Sequence, residues 1–133
     1  MIVVDTNVIA SLYLPTDVSA AAGRLLLHQP AWSAPRLWRS ELRNALAQYL
    51  RRRLVSTDEA MQIQERAESL LAGGELDVAS PDVLQLVAAS DCSAYDCEFV
   101  ALARRLGTGL VTADRKILRA FPAVARDPDA ALA

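Results

Sequence analysis

Four acidic residues stand where carboxylates are seldom placed without a reason: Asp5, Glu41, Asp96 and Asp114. Asp5 follows directly on Ile2-Val3-Val4, an apolar, β-branched run of the kind that forms a buried parallel strand. Asp114 lies just past Leu110-Val111-Thr112, the second such run. Glu41 falls on the margin of the buried face of a helix expected over residues 36–53, whose apolar stripe is Trp38, Leu42, Ala45, Leu46 and Tyr49. Asp96 projects between Val100 and Ala103 in a helix over 93–106, whose apolar arc also takes in Tyr95, Phe99, Leu102 and Leu106. Two like charges ~4 Å apart repel by roughly 4 kcal/mol at an effective dielectric of ~20, so such a cluster needs protons or cations at neutral pH. Mg²⁺, or alternatively Mn²⁺, is the natural guest of an all-oxygen site. Asp5-Thr6-Asn7 adds three oxygen-bearing side chains in succession at the first strand end, which suits a hard cation or its water shell.

Each acid also has an ordinary explanation. Asp5 and Asp114 are good turn formers and helix N-caps. Ser93 and Asp96 have capping-box spacing, and an acid in a first helical turn complements the helix dipole. Glu41 is placed for a salt bridge to Arg36 or Arg43. Asp91, expected in a loop, and Glu98, expected to point away from the apolar arc, are weaker candidates.

The rest of the composition narrows the chemistry. His28 is the only histidine, which leaves little scope for a histidine-based triad or a histidine-pair nuclease. Cys92 and Cys97 are too few for a zinc site of about four ligands, and no disulfide is expected of them in a reducing compartment. The net charge of −2 does not advertise nucleic-acid binding. Of the 14 basic residues, all but Lys116 are arginine, and they cluster at Arg36, Arg39 and Arg43, at Arg51 to Arg53, at Arg104 and Arg105, and at Arg115, Lys116 and Arg119. Such forks suit RNA phosphates, although solvated helix faces would look the same.

The elements that would position these groups alternate. Helices are expected over residues 7–13, 17–27, 36–53, 57–71, 81–89, 93–106 and 115–121, with short strands at 2–4, around Trp32, at 76–79 and at 110–112. Ser56 and Glu59 have capping-box spacing, and Gly107 should end the helix before it. The pattern reads as an α/β fold on a central parallel sheet, one domain over residues 1–133, with the tail after Arg126 expected to fray. Ligands of such sheets bind beyond the carboxyl ends of strands, where Asp5 and Asp114 both fall. No apolar run approaches the ~20 residues of a membrane span, and no basic stretch leads into a longer apolar one near Met1, so a cytoplasmic location without membrane association is expected.

With these residues in view, the sequence resembles the PIN-domain ribonucleases, and within them the VapC-type toxins of bacterial toxin–antitoxin pairs. The likeness is carried by Ile2-Val3-Val4-Asp5-Thr6-Asn7-Val8, by Ser40-Glu41-Leu42-Arg43-Asn44-Ala45-Leu46, by Ser93-Ala94-Tyr95-Asp96-Cys97-Glu98-Phe99-Val100-Ala101-Leu102-Ala103, and by Leu110-Val111-Thr112-Ala113-Asp114. Each motif is short, but four in this order cover nearly the whole chain. The resemblance implies a three-layer α/β/α sandwich, with Asp5, Glu41, Asp96 and Asp114 as catalytic metal-site acids. Thr6, Asn7, Ser93 and Thr112 would support them or contact substrate. It further implies Mg²⁺ or Mn²⁺ as cofactor, RNA as substrate, a homodimer, a cognate antitoxin protein, and hydrolysis by water that leaves a 5′-phosphate and a 3′-hydroxyl. Some relatives carry a further acid shortly after the last; here Arg115, Lys116 and Ile117 follow, which puts a second metal in question.

Two other readings compete. A non-catalytic module of the same fold would bind RNA or protein through its arginines and use the acids as caps. A phosphotransfer domain of the haloacid-dehalogenase type would use Asp5 as nucleophile, but such enzymes place another acid two positions later, where this chain has Asn7.

Overall fold

The computed structural model describes all residues, 1–133. Its centre is a four-stranded sheet of β1 (Ile2–Val4), β2 (Trp32–Ser33), β3 (Leu110–Val111) and β4 (Ala125–Arg126), in the order β2-β1-β3-β4, with every pairing parallel. The helices are α1 (Thr6–Ser11), α2 (Ser19–His28), α3 (Leu37–Arg51), α4 (Thr57–Leu70), α5 (Ser80–Ala88), α6 (Ala94–Leu106), α7 (Arg115–Ala120) and α8 (Pro128–Leu132). They pack on both sides of the sheet, as the three-layer reading requires. β1 and β3 are unbroken apolar runs because they are buried on both faces. Val3, Val4 and Leu110 are fully excluded from water, and the core around them is filled by Trp38, Leu42, Phe99 and Leu102.

Local signals explain most boundaries. Ser56 and Glu59 form the expected reciprocal cap at the start of α4. α6 begins at Ser93, whose Oγ accepts the Asp96 N–H at 3.1 Å, and ends at Gly107 in the left-handed conformation that glycine adopts without steric cost. Cys92 and Cys97 flank this start at the two positions where apolar side chains staple a helix to the chain before it; both are buried free thiols.

The structure departs from the sequence pattern in three places, for identifiable reasons. The strand expected at 76–79 is reduced to a single bridge between Ala34 and Glu75, because the chain turns away at once into α5 and Asp77 engages Arg36 instead. β4 has no counterpart in the sequence pattern: its two residues, Ala125 and the exposed Arg126, form no apolar run. The tail after Arg126, expected to fray, holds a further helix. Asp127 caps α8 by accepting the Ala130 N–H at 2.8 Å, Pro128 is buried at the first turn, and α8 packs along α2.

The first arginine cluster also has a structural occupation rather than a free one. Arg39 makes a two-pronged pair with Glu75 at 2.6 and 2.7 Å and reaches Glu68 at 3.0 Å, while Trp38 Nε1 donates to the same Glu75 carboxylate at 2.9 Å. Arg36 and Arg43 lie against Asp77 and Glu68. This network ties α3 to α4 and to the segment after it. No helix is long and apolar enough to cross a membrane.

Candidate active site

Parallel pairing of β1 with β3 sets Val4 against Val111, so the residues that follow the two strands emerge side by side. The Asp5 N–H donates to the Val111 carbonyl at 2.9 Å, and just beyond that last rung the side chains take over. Asp5 Oδ1 accepts the Thr6 N–H at 2.8 Å and so caps α1, while Oδ2 accepts the Thr112 hydroxyl at 2.7 Å and the Asn7 amide at 3.3 Å. Asn7 Oδ1 in turn accepts the Ala113 N–H at 3.2 Å. Thr112 Oγ1 accepts the Asp114 N–H at 3.0 Å, and Asp114 Oδ1 caps α7 through Lys116 N–H at 2.8 Å and Ile117 N–H at 3.3 Å.

Glu41 reaches this network from α3, where its Oε1 accepts the Thr6 hydroxyl at 2.7 Å. The salt bridge to Arg36 or Arg43 that would have given it a structural role is not made, since both arginines face other acids. Asp96, on the first turn of α6, completes the group. Thr6, Asn7 and Thr112 thus all bond to the acids, whereas Ser93 acts on the helix that carries Asp96.

Mutual electrostatics place the carboxylates together. Burial, opposed by the Thr112 and Thr6 hydrogen bonds and reinforced by the charges of Glu41 and Asp96, raises the Asp5 pKa to about 6. Glu41 is raised by burial and then by Asp96 and Glu98, against the pull of its Thr6 hydrogen bond. Asp96 is raised by burial and by Asp114, against the pull of its Ser93 hydrogen bonds and of the Lys116 charge. None of the four acids forms an ion pair with Arg or Lys; the ion pairs of the molecule lie elsewhere. Caps alone do not call for such crowding. An N-cap needs one acid per helix, and Glu41, in mid-helix, caps nothing.

Sequence and structure differ at two neighbours. Tyr95, expected on the apolar arc of α6, is 62% exposed, because at the second position of the helix it precedes the turn that enters the core. Glu98, expected to point outward, is half-buried, its pKa is raised by burial, and its charge is felt by Glu41. The i, i+2 spacing from Asp96 hides this: helical periodicity puts the two on different faces, but both faces border α3. Asp91 lies in the loop between α5 and α6, as expected, and is exposed.

Residues 2–123 match the profile of the PIN domain. The chain belongs to the PIN-domain family. It is 32% identical over 127 residues to Ribonuclease VapC3 of Pyrobaculum aerophilum, a match that covers 92% of this chain and 96% of that protein. Among solved structures it superposes on FitAcB from Neisseria gonorrhoeae with a TM-score of 0.74 at 21% identity, covering 96% of this chain and 98% of the other. PAE2754 from Pyrobaculum aerophilum gives 0.71 at 23% identity, covering 98% and 92%. The fold of this PIN domain is therefore that of its solved neighbours.

The donor set of this PIN domain suits a hard divalent cation. No three of its acidic, histidine or cysteine side chains close into a ready-made cage. Mg²⁺ is commonly held by one or two carboxylates, with water and substrate phosphate filling the other positions. Carboxylates that burial and mutual repulsion incline toward protonation are also ones that a cation would relieve.

Proposed function

We propose that this PIN domain is a metal-dependent endoribonuclease, the toxin of a toxin–antitoxin pair. In this reading Asp5, Glu41, Asp96 and Asp114 hold Mg²⁺ or Mn²⁺ at the carboxyl ends of β1 and β3. The single observation that carries it is that these acids, drawn from four separate segments, share one electrostatic field with no arginine or lysine paired to any of them.

A divalent cation in this cluster would supply what the side chains lack, acidifying water for attack and offsetting the charge that builds on a phosphate. The protein's own part is positional. Thr112 and the Thr6 N–H fix both oxygens of Asp5, the Thr6 hydroxyl fixes one oxygen of Glu41, and Asn7 ties the strand end to the loop that carries Asp114. The exposed cations Arg115 and Lys116, next in sequence to Asp114, stand free to meet the RNA backbone. Ribonuclease VapC3 by its name, together with the family, supports RNA as substrate. A cognate antitoxin, a homodimer and a cytoplasmic setting belong to the same reading.

Cleavage of a mixed RNA pool tests it, with Mg²⁺ or Mn²⁺, with EDTA, and with Asp96→Asn. Activity is expected with metal and abolished in the other two arms, with 5′-phosphate on the new ends. Metal should also raise the melting temperature, by about 2.7 kcal/mol of stability at a hundredfold excess over the dissociation constant, and much less for Asp96→Asn. Equal cleavage in all arms would discard the mechanism. RNA binding that survives EDTA without any cleavage would favour the non-catalytic module.

A further inference from the structure

Outward of Glu41, α3 and α6 diverge and leave a groove. Leu37, Ser40, Glu41 and Asn44 of α3 face Tyr95 of α6 across an open hollow of about 470 Å³. Leu37 is also a wall of the neighbouring hollow, of about 440 Å³, where it meets Val83 and Leu84 of α5 and Glu98 of α6. Each volume lies within the roughly 300–1,000 Å³ typical of small-molecule sites. Together they form a track that starts at a carboxylate of the acidic cluster and runs out between three helices.

Tyr95 closes the α6 side of the first hollow, and Leu37 is the wall that the two hollows share. Tyr95 directly precedes Asp96 and is 62% exposed, although Cys97, two positions on, is fully buried. No packing interaction of the core needs an aromatic ring there. Leu84, in the second hollow, is 61% exposed. The rim is polar, with Arg36, Asp77, Ser80 and Glu98 offering both donors and acceptors. The Arg36–Asp77 pair, at 3.4 Å and open to solvent, is cheap to rearrange.

We propose that this groove is a nucleobase subsite, in which the ring of Tyr95 stacks on an unpaired base flanking the phosphate held at the acidic cluster. The inference rests on the reading of that cluster as an RNA-cleaving site and adds to it the means of choosing where to cut. Stacking on an exposed aromatic needs a base with a free face, which a duplex does not offer. Apolar walls with a mixed polar rim suit a flat heterocycle with hydrogen-bonding edges. A second copy of this chain is the competing occupant. It is disfavoured because a stable interface buries about 800 Å² per partner, and of the other large exposed apolar side chains Met1, Leu27, Leu54 and Met61 lie elsewhere while Leu106 is at the far end of α6.

The test uses the full chain with Tyr95→Ala and Tyr95→Phe, each alone and combined with Asp114→Asn to prevent cleavage. Fluorescence anisotropy with a labelled, mixed-sequence single-stranded RNA should show binding weakened about 5- to 100-fold by Tyr95→Ala and nearly unchanged by Tyr95→Phe. The same RNA annealed to its complement should bind weakly and alike to all variants. In the cleavage-competent background, Tyr95→Ala should redistribute the cut sites in an RNA pool. Removing one base beside a mapped site should cost the parent protein what Tyr95→Ala costs, and should cost Tyr95→Ala nothing further. Unchanged binding and cut sites in Tyr95→Ala would overturn the subsite, as would conversion of a dimer to a monomer by that substitution. If the parent protein cleaves nothing with either metal while Tyr95→Ala still loses affinity, the nuclease reading fails and the base subsite stands. Metal-dependent cleavage that is indifferent to Tyr95 upholds the nuclease and removes the subsite.

Discussion

Thr112 donates its hydroxyl hydrogen to Asp5 Oδ2 at 2.7 Å, a bond between residues 107 apart in sequence that joins the ends of two adjacent strands. The same hydroxyl oxygen accepts the Asp114 N–H at 3.0 Å. One fully buried hydroxyl therefore sets the orientation of Asp5 and the path of the chain into Asp114.

Thr112→Val keeps the shape of the side chain and deletes these two bonds, together with the long one that the hydroxyl accepts from the Asn7 amide at 3.5 Å. Asp5 loses the strongest influence that opposes its burial, so its pKa should rise above about 6. The backbone N–H of Asp114 is left without its partner. A loss of about 1–3 kcal/mol is expected on urea unfolding, the cost of leaving buried polar groups short of a bond. The acid limb of the pH–activity profile should move to higher pH, and Thr112→Ser should reverse both effects. Identical unfolding midpoints for Thr112→Val and the parent would remove the bond from the account of the site.

In the metal-free protein, Asp5 makes stability fall as pH rises. Its folded pKa of about 6 lies above the ordinary 3.8, so between those values the folded state keeps a proton that the unfolded chain has released. The loss from this residue is about 3 kcal/mol across the window and is complete above it. Glu41 and Asp96 are shifted in the same direction and add to the slope. Asp5→Asn, measured in EDTA, should therefore be more stable than the parent at pH 7.5, by about 1–3 kcal/mol, and should lose that advantage near pH 4. With saturating Mg²⁺ the order at pH 7.5 should invert. A parent protein whose metal-free stability is flat from pH 4 to pH 7 would contradict the crowded-carboxylate picture.

What is legible in the sequence follows the range of the forces involved. β1 and β3 announce themselves because a strand buried on both faces must be continuously apolar, and an acid at the end of such a run is conspicuous. Glu41 stands out because a carboxylate on the margin of an apolar stripe needs a partner, though the stripe does not say which; the Thr6 hydroxyl that supplies it is 35 residues away. Tyr95 and Glu98 escape the pattern because a helical wheel ranks faces by one core direction, whereas the start of α6 is bordered by α3 and α5 as well. The order of the strands, the two-residue β4 and the docking of α8 on α2 depend on tertiary pairing that no local period encodes. Asp127, Pro128 and the buried side of α8 carry a cap signal that a run of alanines obscures.

The glycines give a test of the fold independent of the acids. Gly74 sits against β2: its carbonyl accepts the Ser33 hydroxyl at 2.6 Å and the Ala34 N–H at 3.1 Å, and a Cβ at this position would fall 2.1 Å from the Trp32 carbonyl oxygen. That obstacle is backbone, which cannot swing aside as a side chain could. Gly74→Ala must push the segment off the edge of the sheet, loosening the start of the chain that carries Glu75 to its pair with Arg39. A loss of about 1–3 kcal/mol is expected, as for other forced overpacking. Gly23, in the middle of α2, has open space around the same added atom, so Gly23→Ala should stabilise by about 0.5–1 kcal/mol through helix propensity alone. Chemical denaturation of the two variants beside the parent separates the two effects. Were Gly74→Ala as stable as the parent, the contact between residue 74 and β2 would not be as described, and the anchoring of α3 to the segment after α4 would need another basis.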